Sequence, residues 1–214
     1  MSAVPEFPEP LERALRQLRA GGMVVICDDP DRENEGDLCL AAEFATAEKL
    51  AFMACQARGL ICLSLPPERC DHLGLPLMVP ANAGTDATGF TVTIEAREGV
   101  TTGISAADRA RTIQVAMAHD TVAADLVRPG HVFPLRARPR GVLERRGQTE
   151  ASVDLTRLAG LRPGGVLCEV MNEDGTMARG PQLAAFCRRH SLPLVTVDQI
   201  ATYRRRAELA VTAV

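Results

Sequence analysis

Aromatic residues are scarce in this sequence of 214 residues: tryptophan is absent, and aromatic side chains make up only 3%. Proteins that bind single-stranded nucleic acids stack bases on such rings, and nucleic-acid-binding domains normally present a basic face. The formal net charge here is −3. Arginines cluster at 204–206, which we interpret as a solvated helix end, and at 136–146, where they could bind a small phosphorylated substrate. We therefore predict no nucleic-acid partner.

Long apolar runs and export signals are also missing. No segment approaches the roughly 20 apolar residues that a membrane-spanning helix needs, and the N-terminal segment is acidic and interrupted by prolines. Seven cysteines form no C-x-x-C pair and mostly lie in apolar runs, which is typical of reduced, buried thiols rather than of a zinc site. Neither G-x-G-x-x-G nor a P-loop occurs. We expect a cytoplasmic protein without membrane association.

Helical and strand patterns alternate along the whole chain, with no repeat and no flexible linker. Predicted strands lie at Met23–Cys27, Leu38–Ala42, Leu60–Leu65, Phe90–Glu95, Val166–Val170 and Leu194–Val197. Predicted helices begin near positions 11, 46, 105, 149 and 181, and a last helix carries Tyr203. Several strand pairs leave no room for a crossover helix, so we predict an α/β or α+β domain with a mixed sheet flanked by helices. We place this single domain at 11–205, between an N-terminal extension (1–10) and a C-terminal tail (206–214).

The densest chemical signal is the acidic segment Asp28–Asp37, which holds six carboxylates in ten residues directly after a predicted buried strand. Like charges packed so closely repel one another unless a cation binds or the side chains extend into water. Magnesium prefers carboxylate oxygens, and α/β proteins tend to place ligands at strand ends. Arg32 and Asn34 in the same segment suit substrate oxygens. A solvated acidic loop is the alternative interpretation.

Two further segments combine groups that suit a phosphorylated substrate. At 128–135, His131 lies between a Pro-Gly turn and an apolar stretch, so we predict a stiff loop with a residue that transfers protons near neutral pH. A lone histidine is nevertheless more often structural. At 143–151, Arg145 and Thr149 lie at a predicted helix start, where unpaired N–H groups and the helix dipole favour an anion. An ordinary helix cap with surface arginines explains this segment equally well.

Two weaker signals complete the set. Glu169 ends an apolar run, where it either faces a site and transfers protons or forms the exposed end of a strand. Threonine- and glycine-rich turns at 85–90 and 99–105 flank a predicted strand. Their hydroxyls and amides could contact a polyol, although tight turns and a helix cap explain most of these residues.

Five motifs together resemble the 3,4-dihydroxy-2-butanone 4-phosphate synthase family, over nearly the whole chain. They are Asp-Arg-Glu-Asn-Glu-Gly-Asp (31–37), Thr-Gly-Phe-Thr-Val-Thr-Ile-Glu-Ala (88–96), Gly-Val-Thr-Thr-Gly-Ile-Ser-Ala-Ala-Asp-Arg (99–109), Arg-Pro-Gly-His-Val-Phe-Pro-Leu (128–135) and Gly-Val-Leu-Cys-Glu (165–169). The resemblance implies a three-layer α/β fold and a homodimer with active sites at its interface. It also implies a lyase reaction at Mg²⁺, with Mn²⁺ as a second option. That reaction converts D-ribulose 5-phosphate to formate and L-3,4-dihydroxy-2-butanone 4-phosphate for riboflavin biosynthesis. Some members carry a fused GTP cyclohydrolase II domain, for which this sequence is too short.

The resemblance also implies roles for individual residues. Glu33 is a metal ligand, and His131 and Glu169 occupy positions that are essential for catalysis. The implied substrate-binding set, which extends to the phosphate end of the sugar, is Arg32, Glu33, Asp37, Arg145, Arg146, Gly147, Gln148, Thr149 and Glu169.

One departure from the family pattern concerns the metal. Where the family has Gly-His-Thr-Glu-Ala, this chain has a glutamine, Gln148, in place of the histidine that helps to hold the metal, and Arg146 stands where small residues are usual. Gln148 offers an oxygen to Mg²⁺ but cannot act as an imidazole or bind softer metals as well. Three hypotheses follow: the complete synthase reaction, an altered or truncated reaction on a related ketose phosphate, and a non-catalytic sugar-phosphate-binding protein. Formate release belongs only to the first.

Overall fold

A computed structural model describes residues 6–79 and 87–212 of the chain. Thr85 and Asp86, which belong to one of the predicted polyol-binding turns, lie outside these residues. The described helices are α1 (Glu9–Arg19), α2 (Ala47–Phe52, continued by a π-helical turn at Met53–Ala57), α3 (Pro67–His72), α4 (Ala106–Met117), α5 (Gln148–Leu158), α6 (Pro181–His190) and α7 (Val197–Thr212). The described strands are β1 (Met23–Cys27), β2 (Gly36–Ala41), β3 (Cys62–Leu65), β4 (Ile94–Ala96), β5 (Leu126–Arg136), β6 (Gly165–Glu169) and β7 (Leu194–Thr196).

The strands form one mixed sheet in the order β4-β5-β3-β6-β2-β1-β7. The pairs β1/β7 and β3/β5 are parallel, whereas β1/β2, β2/β6, β3/β6 and β4/β5 are antiparallel. Helices α1, α5 and α7 pack on one face, where Leu15 and Leu155 are fully buried. Helices α2, α4 and α6 pack on the other face, where Leu50 and Ile113 are fully buried. The predicted three-layer domain with a mixed sheet is confirmed.

The ends of several helices follow from local capping. Thr46 Oγ1 accepts a hydrogen bond from Lys49 N at 3.3 Å, and Ser105 Oγ accepts one from Asp108 N at 3.0 Å. These bonds satisfy N–H groups that have no partner within the first helical turn. At the other end of α1, Gly21 takes a φ of +73° that an L side chain rarely adopts. The predicted starts of α2 and α4 and the predicted end of α1 are therefore confirmed.

The strand predicted at 90–95 is only partly correct. Regular pairing in β4 is confined to Ile94–Ala96, and Phe90 and Thr91 make isolated bridges. Thr91 N donates to Pro134 O at 3.0 Å, but proline has no N–H with which to return a ladder bond. The alternating sequence pattern therefore indicates a half-buried segment. Regular strand pairing does not extend along it, because Pro134 lies opposite Thr91 and cannot donate a ladder hydrogen bond.

The stiff loop predicted around His131 was also wrong, because this residue lies within β5. Pairing between β4 and β5 shifts register between Ile94 and Glu95, which leaves residues 128–131 without partners in that ladder. Pro129 lies in this bulge, where its missing N–H costs no ladder hydrogen bond. The Pro-Gly sequence thus indicated an irregularity of a strand and not a separate loop.

The cysteines behave as predicted. All seven are free thiols, and five of them are buried. In addition, no helix within the described ranges has both the length and the apolar character required to cross a lipid bilayer.

Candidate active site

A cavity of about 220 Å³ lies beside the N-terminus of α5, bordered by loop 28–35, the start of β2 and the end of β6. Its size suits a ligand smaller than a typical drug, such as a five-carbon sugar phosphate. Larger cavities of about 450 Å³ elsewhere contain none of the predicted site residues. The predicted residues that line the small cavity are Arg32, Glu33, Asp37, Arg145, Gln148, Thr149 and Glu169.

Several further residues line the cavity that were not among the individually predicted site residues. They are Glu35, Cys62, Thr88, Phe90, Leu135 and Leu167. Cys62 and Leu167 are register partners in β3 and β6, and their apolar runs signalled burial alone. Burial also raises the pKa of the Cys62 thiol, so a reactive thiolate is disfavoured. Thr88 and Phe90 belong to the threonine- and glycine-rich turn at 85–90, whose hydroxyls and amides the sequence indicated as candidate contacts for a polyol.

The acidic loop is folded around the buried carboxylate of Asp28. Its Oδ1 accepts a hydrogen bond from Glu35 N at 2.8 Å, and its Oδ2 accepts bonds from Glu33 N at 3.1 Å and Arg32 Nη1 at 2.8 Å. Asp37, predicted as part of the loop, is instead the second residue of β2. One carboxylate of the acidic segment is therefore structural, and it sets the positions of Arg32 and Glu33 at the cavity.

Glu33 and Gln148 bring two oxygen atoms to the same nitrogen. Arg32 Nη1 donates to Glu33 Oε2 at 2.9 Å and to Gln148 Oε1 at 3.1 Å. A pair of neutral and anionic oxygens suits Mg²⁺, which is usually bound through one or two protein carboxylates and keeps several waters. Within residues 6–79 and 87–212, no cluster of three His, Cys, Asp or Glu side chains could hold a metal. The oxygens of Glu33 and Gln148 instead fit a hard cation that keeps most of its waters. Its binding would require the Arg32 guanidinium to release both oxygens, because two cations in one place repel each other.

Arg145 lines the cavity and also forms a buried ion pair. Its Nη1 donates to Glu150 Oε2 at 2.7 Å, and its Nη2 donates to Thr88 Oγ1 at 3.0 Å. The two charged side chains are 4% and 2% exposed. Burial raises the pKa of Glu150, and the Arg145 guanidinium opposes that effect. Arg145 thus places positive charge beside the α5 N-terminus, where an anion is favoured.

Replacing Arg145 by methionine is expected to destabilise the fold by about 3–5 kcal/mol, because it leaves the Glu150 carboxylate buried without its cation. Denaturant-induced unfolding measures this loss. The double variant Arg145→Met/Glu150→Leu should recover most of it, since both charges are then removed. A double variant that is as unstable as the single one would show that the ion pair is not the source of the effect.

Asp37 is a buried carboxylic acid that faces a second one. Asp37 on β2 and Glu169 on β6 are register partners, and both line the cavity. Burial raises the pKa of Asp37 well above its ordinary value, and the nearby charges of Glu169 and Glu33 raise it further. Asp37 therefore keeps its proton to higher pH than an exposed carboxyl group does, and the protonated group can donate a hydrogen bond to a substrate hydroxyl or carbonyl.

The raised pKa of Asp37 predicts a pH-dependent stability. The folded protein binds this proton more tightly than the unfolded chain, so stability falls as pH rises from about 4, the ordinary carboxyl pKa, toward the raised value. Asp37→Asn removes the ionisation, and its stability advantage should therefore be small at pH 4 and grow with pH. Thermal unfolding in EDTA measures it, with each kcal/mol raising Tm by about 2–4 °C. An advantage that is independent of pH would contradict this account.

Glu169 is held at the end of β6 by the backbone of the segment before β3. Its Oε2 accepts a hydrogen bond from Leu60 N at 2.8 Å. Gly59 allows this approach, because a Cβ atom there would lie 2.5 Å from both the backbone oxygen and Oε2 of Glu169. The side chain thus has one oriented oxygen and belongs to the cavity wall. Of the two interpretations of Glu169, the site-facing one agrees with its position.

His131 is not among the residues that line the cavity, and its side chain is 45% exposed. Its Nδ1 lies 2.6 Å from Glu95 Oε2. Gly103, at a φ of +89°, leaves the space that the Glu95 carboxylate occupies. The turn at 99–105 is in turn held by Asp108, which accepts hydrogen bonds from Gly103 N and Thr101 Oγ1. This second threonine-rich turn therefore supports His131 and does not reach the cavity of the same chain.

Arg146 and Gly147 border the site without lining it. Gly147 is the N-cap residue of α5. The Arg146 guanidinium binds Asp29 and Asp198. Of the predicted contacts of these two residues with a substrate, only those through backbone atoms agree with this arrangement.

A family model described as 3,4-dihydroxy-2-butanone 4-phosphate synthase matches residues 12–203. The protein of that name from Edwardsiella ictaluri (strain 93-146) is 54% identical over 200 residues, which cover 94% of this chain and 91% of the relative. The chain belongs to the 3,4-dihydroxy-2-butanone 4-phosphate synthase family. The predicted family is thereby confirmed, and its members are lyases of riboflavin biosynthesis.

Two further matches extend this comparison. Riboflavin biosynthesis protein RibBA of Aquifex aeolicus (strain VF5) is 55% identical over 217 residues, which cover 100% of this chain and 53% of the relative. The chain thus spans about half the length of that family member. A crystal structure of 3,4-dihydroxy-2-butanone 4-phosphate synthase in complex with two magnesium ions matches with a TM-score of 0.88 at 42% identity, covering 92% of this chain and 97% of that one.

Proposed function

We propose that this chain converts D-ribulose 5-phosphate to L-3,4-dihydroxy-2-butanone 4-phosphate and formate in riboflavin biosynthesis. The observation that carries the proposal is the cavity at the start of α5. It combines oxygen ligands for a hard cation, two facing carboxyl groups and a buried arginine at a helix N-terminus. The proposed catalytic unit is 11–205, and the proposed location is the cytoplasm.

In this proposal Glu33 and Gln148 hold Mg²⁺, with Mn²⁺ as a second option. When bound, the ion supplies positive charge for the negative charge that develops on substrate oxygens. A family structure with two magnesium ions supports the metal. Gln148 supports Mg²⁺ over softer metals because it offers an oxygen and no imidazole.

The remaining residues bind the sugar phosphate and move protons. Arg32 and Asp37 contact substrate oxygens on one side of the cavity. The phosphate end binds beside the first turn of α5, through Arg145, Thr149 and the backbone of 146–148. Glu169 is the acid–base group next to the reacting carbons, because carbons beside a carbonyl must lose and regain protons in this reaction.

His131 completes the site from a second subunit in the proposed homodimer. Three features support this arrangement: the imidazole is exposed, it is oriented by Glu95, and it is not among the residues that line the cavity of its own chain. Ile104, which follows Gly103 in the supporting turn, is 55% exposed. An exposed apolar side chain in the turn that supports Glu95 agrees with an interface between identical subunits.

Formate release from ribulose 5-phosphate with Mg²⁺ tests the function directly, with Gln148→His as the matched variant. We expect the native protein to release formate but to need more Mg²⁺ for half-maximal rate than the variant, since the family's site is arranged around an imidazole at this position. Formate from the variant alone would indicate altered chemistry or ligand binding in the native chain. Formate from neither protein would overturn the proposed substrate.

A further inference from the structure

The side chain of Arg146 contacts the acidic loop and not the cavity. Its Nε donates to Asp29 Oδ2 at 2.6 Å, and its Nη2 donates to Asp29 Oδ1 at 2.9 Å. The same Nη2 also donates to Asp198 Oδ1 at 3.0 Å. Asp198 lies in the first turn of α7. One guanidinium therefore joins three separate parts of the chain: loop 28–35, the segment that leads into α5, and the start of α7.

The geometry of this contact is specific to arginine. Two parallel N–H···O bonds fix both the position and the plane of a carboxylate, which the point charge of a lysine cannot do. The hydrogen bond from Arg146 lowers the pKa of Asp29, so the pair is charged at neutral pH. The two side chains are 31% and 28% exposed and are thus partly shielded from solvent.

The internal contacts of loop 28–35 fix its shape but not its position relative to α5. Asp28 accepts hydrogen bonds from other residues of the loop. Arg179 attaches the loop on the side of α6, because it donates to Glu33 O at 3.3 Å and to Glu35 Oε1 at 2.7 Å.

Attachment of the loop to α5 comes from two neighbouring contacts: Arg146 with Asp29, and Gln148 with Arg32. The second contact uses the oxygen that a metal ion would need. Once Gln148 is a metal ligand, the contact of Arg146 with Asp29 still holds the loop to the segment that leads into this helix.

We propose that Arg146 is a positioning residue that fixes loop 28–35 against α5, so that Glu33 on the loop and Gln148 on the helix stay within reach of one metal ion. This inference rests on the metal site of the proposed function. Glu33 is four residues from Asp29, and Gln148 is two residues from Arg146. A shift of the loop relative to the helix would separate the two oxygens.

Arg146→Met and Arg146→Lys test this role, with Arg136→Met as the matched control. Arg136 forms a similar two-bond pair with Asp71, at 2.6 and 3.0 Å, on a different part of the surface. Arg146→Met should raise the Mg²⁺ concentration for half-maximal formate release by about 10- to 100-fold, as is typical for residues that orient metal ligands. Arg146→Lys should recover only part of this loss, and Arg136→Met should leave the Mg²⁺ requirement unchanged.

Hydrogen exchange of the Glu33 and Glu35 amides provides a readout that does not depend on turnover. Both amides should exchange faster in Arg146→Met, because the loop then loses its attachment to α5 and keeps only that to Arg179. They should remain protected in Arg136→Met. Faster exchange in Arg146→Met, without formate release by the native protein, would support the positioning role of Arg146 while removing the proposed reaction. Native exchange and a native Mg²⁺ requirement in Arg146→Met would overturn the positioning role and leave the reaction untouched.

Discussion

Replacing Glu169 by glutamine is expected to lower formate release from ribulose 5-phosphate by about 100-fold or more. Proton transfer by a positioned side chain contributes about 10²–10⁴-fold to such reactions, and an amide cannot take up or deliver the proton. The fold should survive the change. The glutamine oxygen can still accept the hydrogen bond that Glu169 Oε2 accepts from Leu60 N at 2.8 Å.

The control for this prediction is Glu173→Gln, which removes an exposed carboxylate near the same strand. Glu173 is 83% exposed and forms a long ion pair with Arg58 at 3.7 Å. Exposed pairs of this kind contribute little to stability, so both activity and Tm should stay close to those of the native protein. Formate is quantified for both variants at saturating Mg²⁺. Activity of Glu169→Gln within a few-fold of native would remove Glu169 from the acid–base role.

The sequence could predict those parts of this site that are set by residues close to one another in the chain. The buried runs that became β1 and β6 located Asp28 and Glu169 at strand ends. The arginines, glycine and hydroxyl at 143–151 predicted a helix start near Thr149, one residue after the observed start at Gln148. Local patterns succeed here because strand ends and helix starts are set by residues that are adjacent in the chain.

Long-range pairing was outside the reach of the sequence pattern. Asp37 and Glu169 were predicted separately, yet β2 and β6 place them directly opposite each other, with more than a hundred residues between them. Gly59 shows the same limit: its place against the backbone of Glu169 follows only from the folded sheet. The direction of the Arg146 side chain depends in turn on Asp29 and Asp198, which a motif of nearby residues does not contain.

His131 shows most clearly the difference between what local sequence patterns predict and what long-range strand pairing determines. Its residue type and motif indicated a proton-transfer role, but the bulge of β5 places it beside Glu95, among residues that do not line the cavity of its own chain. The proposed homodimer accounts for this position, because His131 would then act on the cavity of the other subunit. A bulge suits this purpose, because it directs a side chain out of the regular ladder.

Co-expression of His131→Ala with Glu169→Gln is expected to restore formate release that neither variant shows alone. In a mixed dimer, one cavity has an intact Glu169 and receives an intact His131 from the other subunit, while the second cavity lacks both. Random pairing makes half of the dimers mixed, so activity should return to about one quarter of the native value. Different affinity tags on the two chains allow the mixed dimer to be isolated. Co-expression of His131→Ala with His131→Asn is the control and should restore nothing. An isolated mixed dimer without activity would mean that both residues serve a single chain, and the shared site would have to be abandoned.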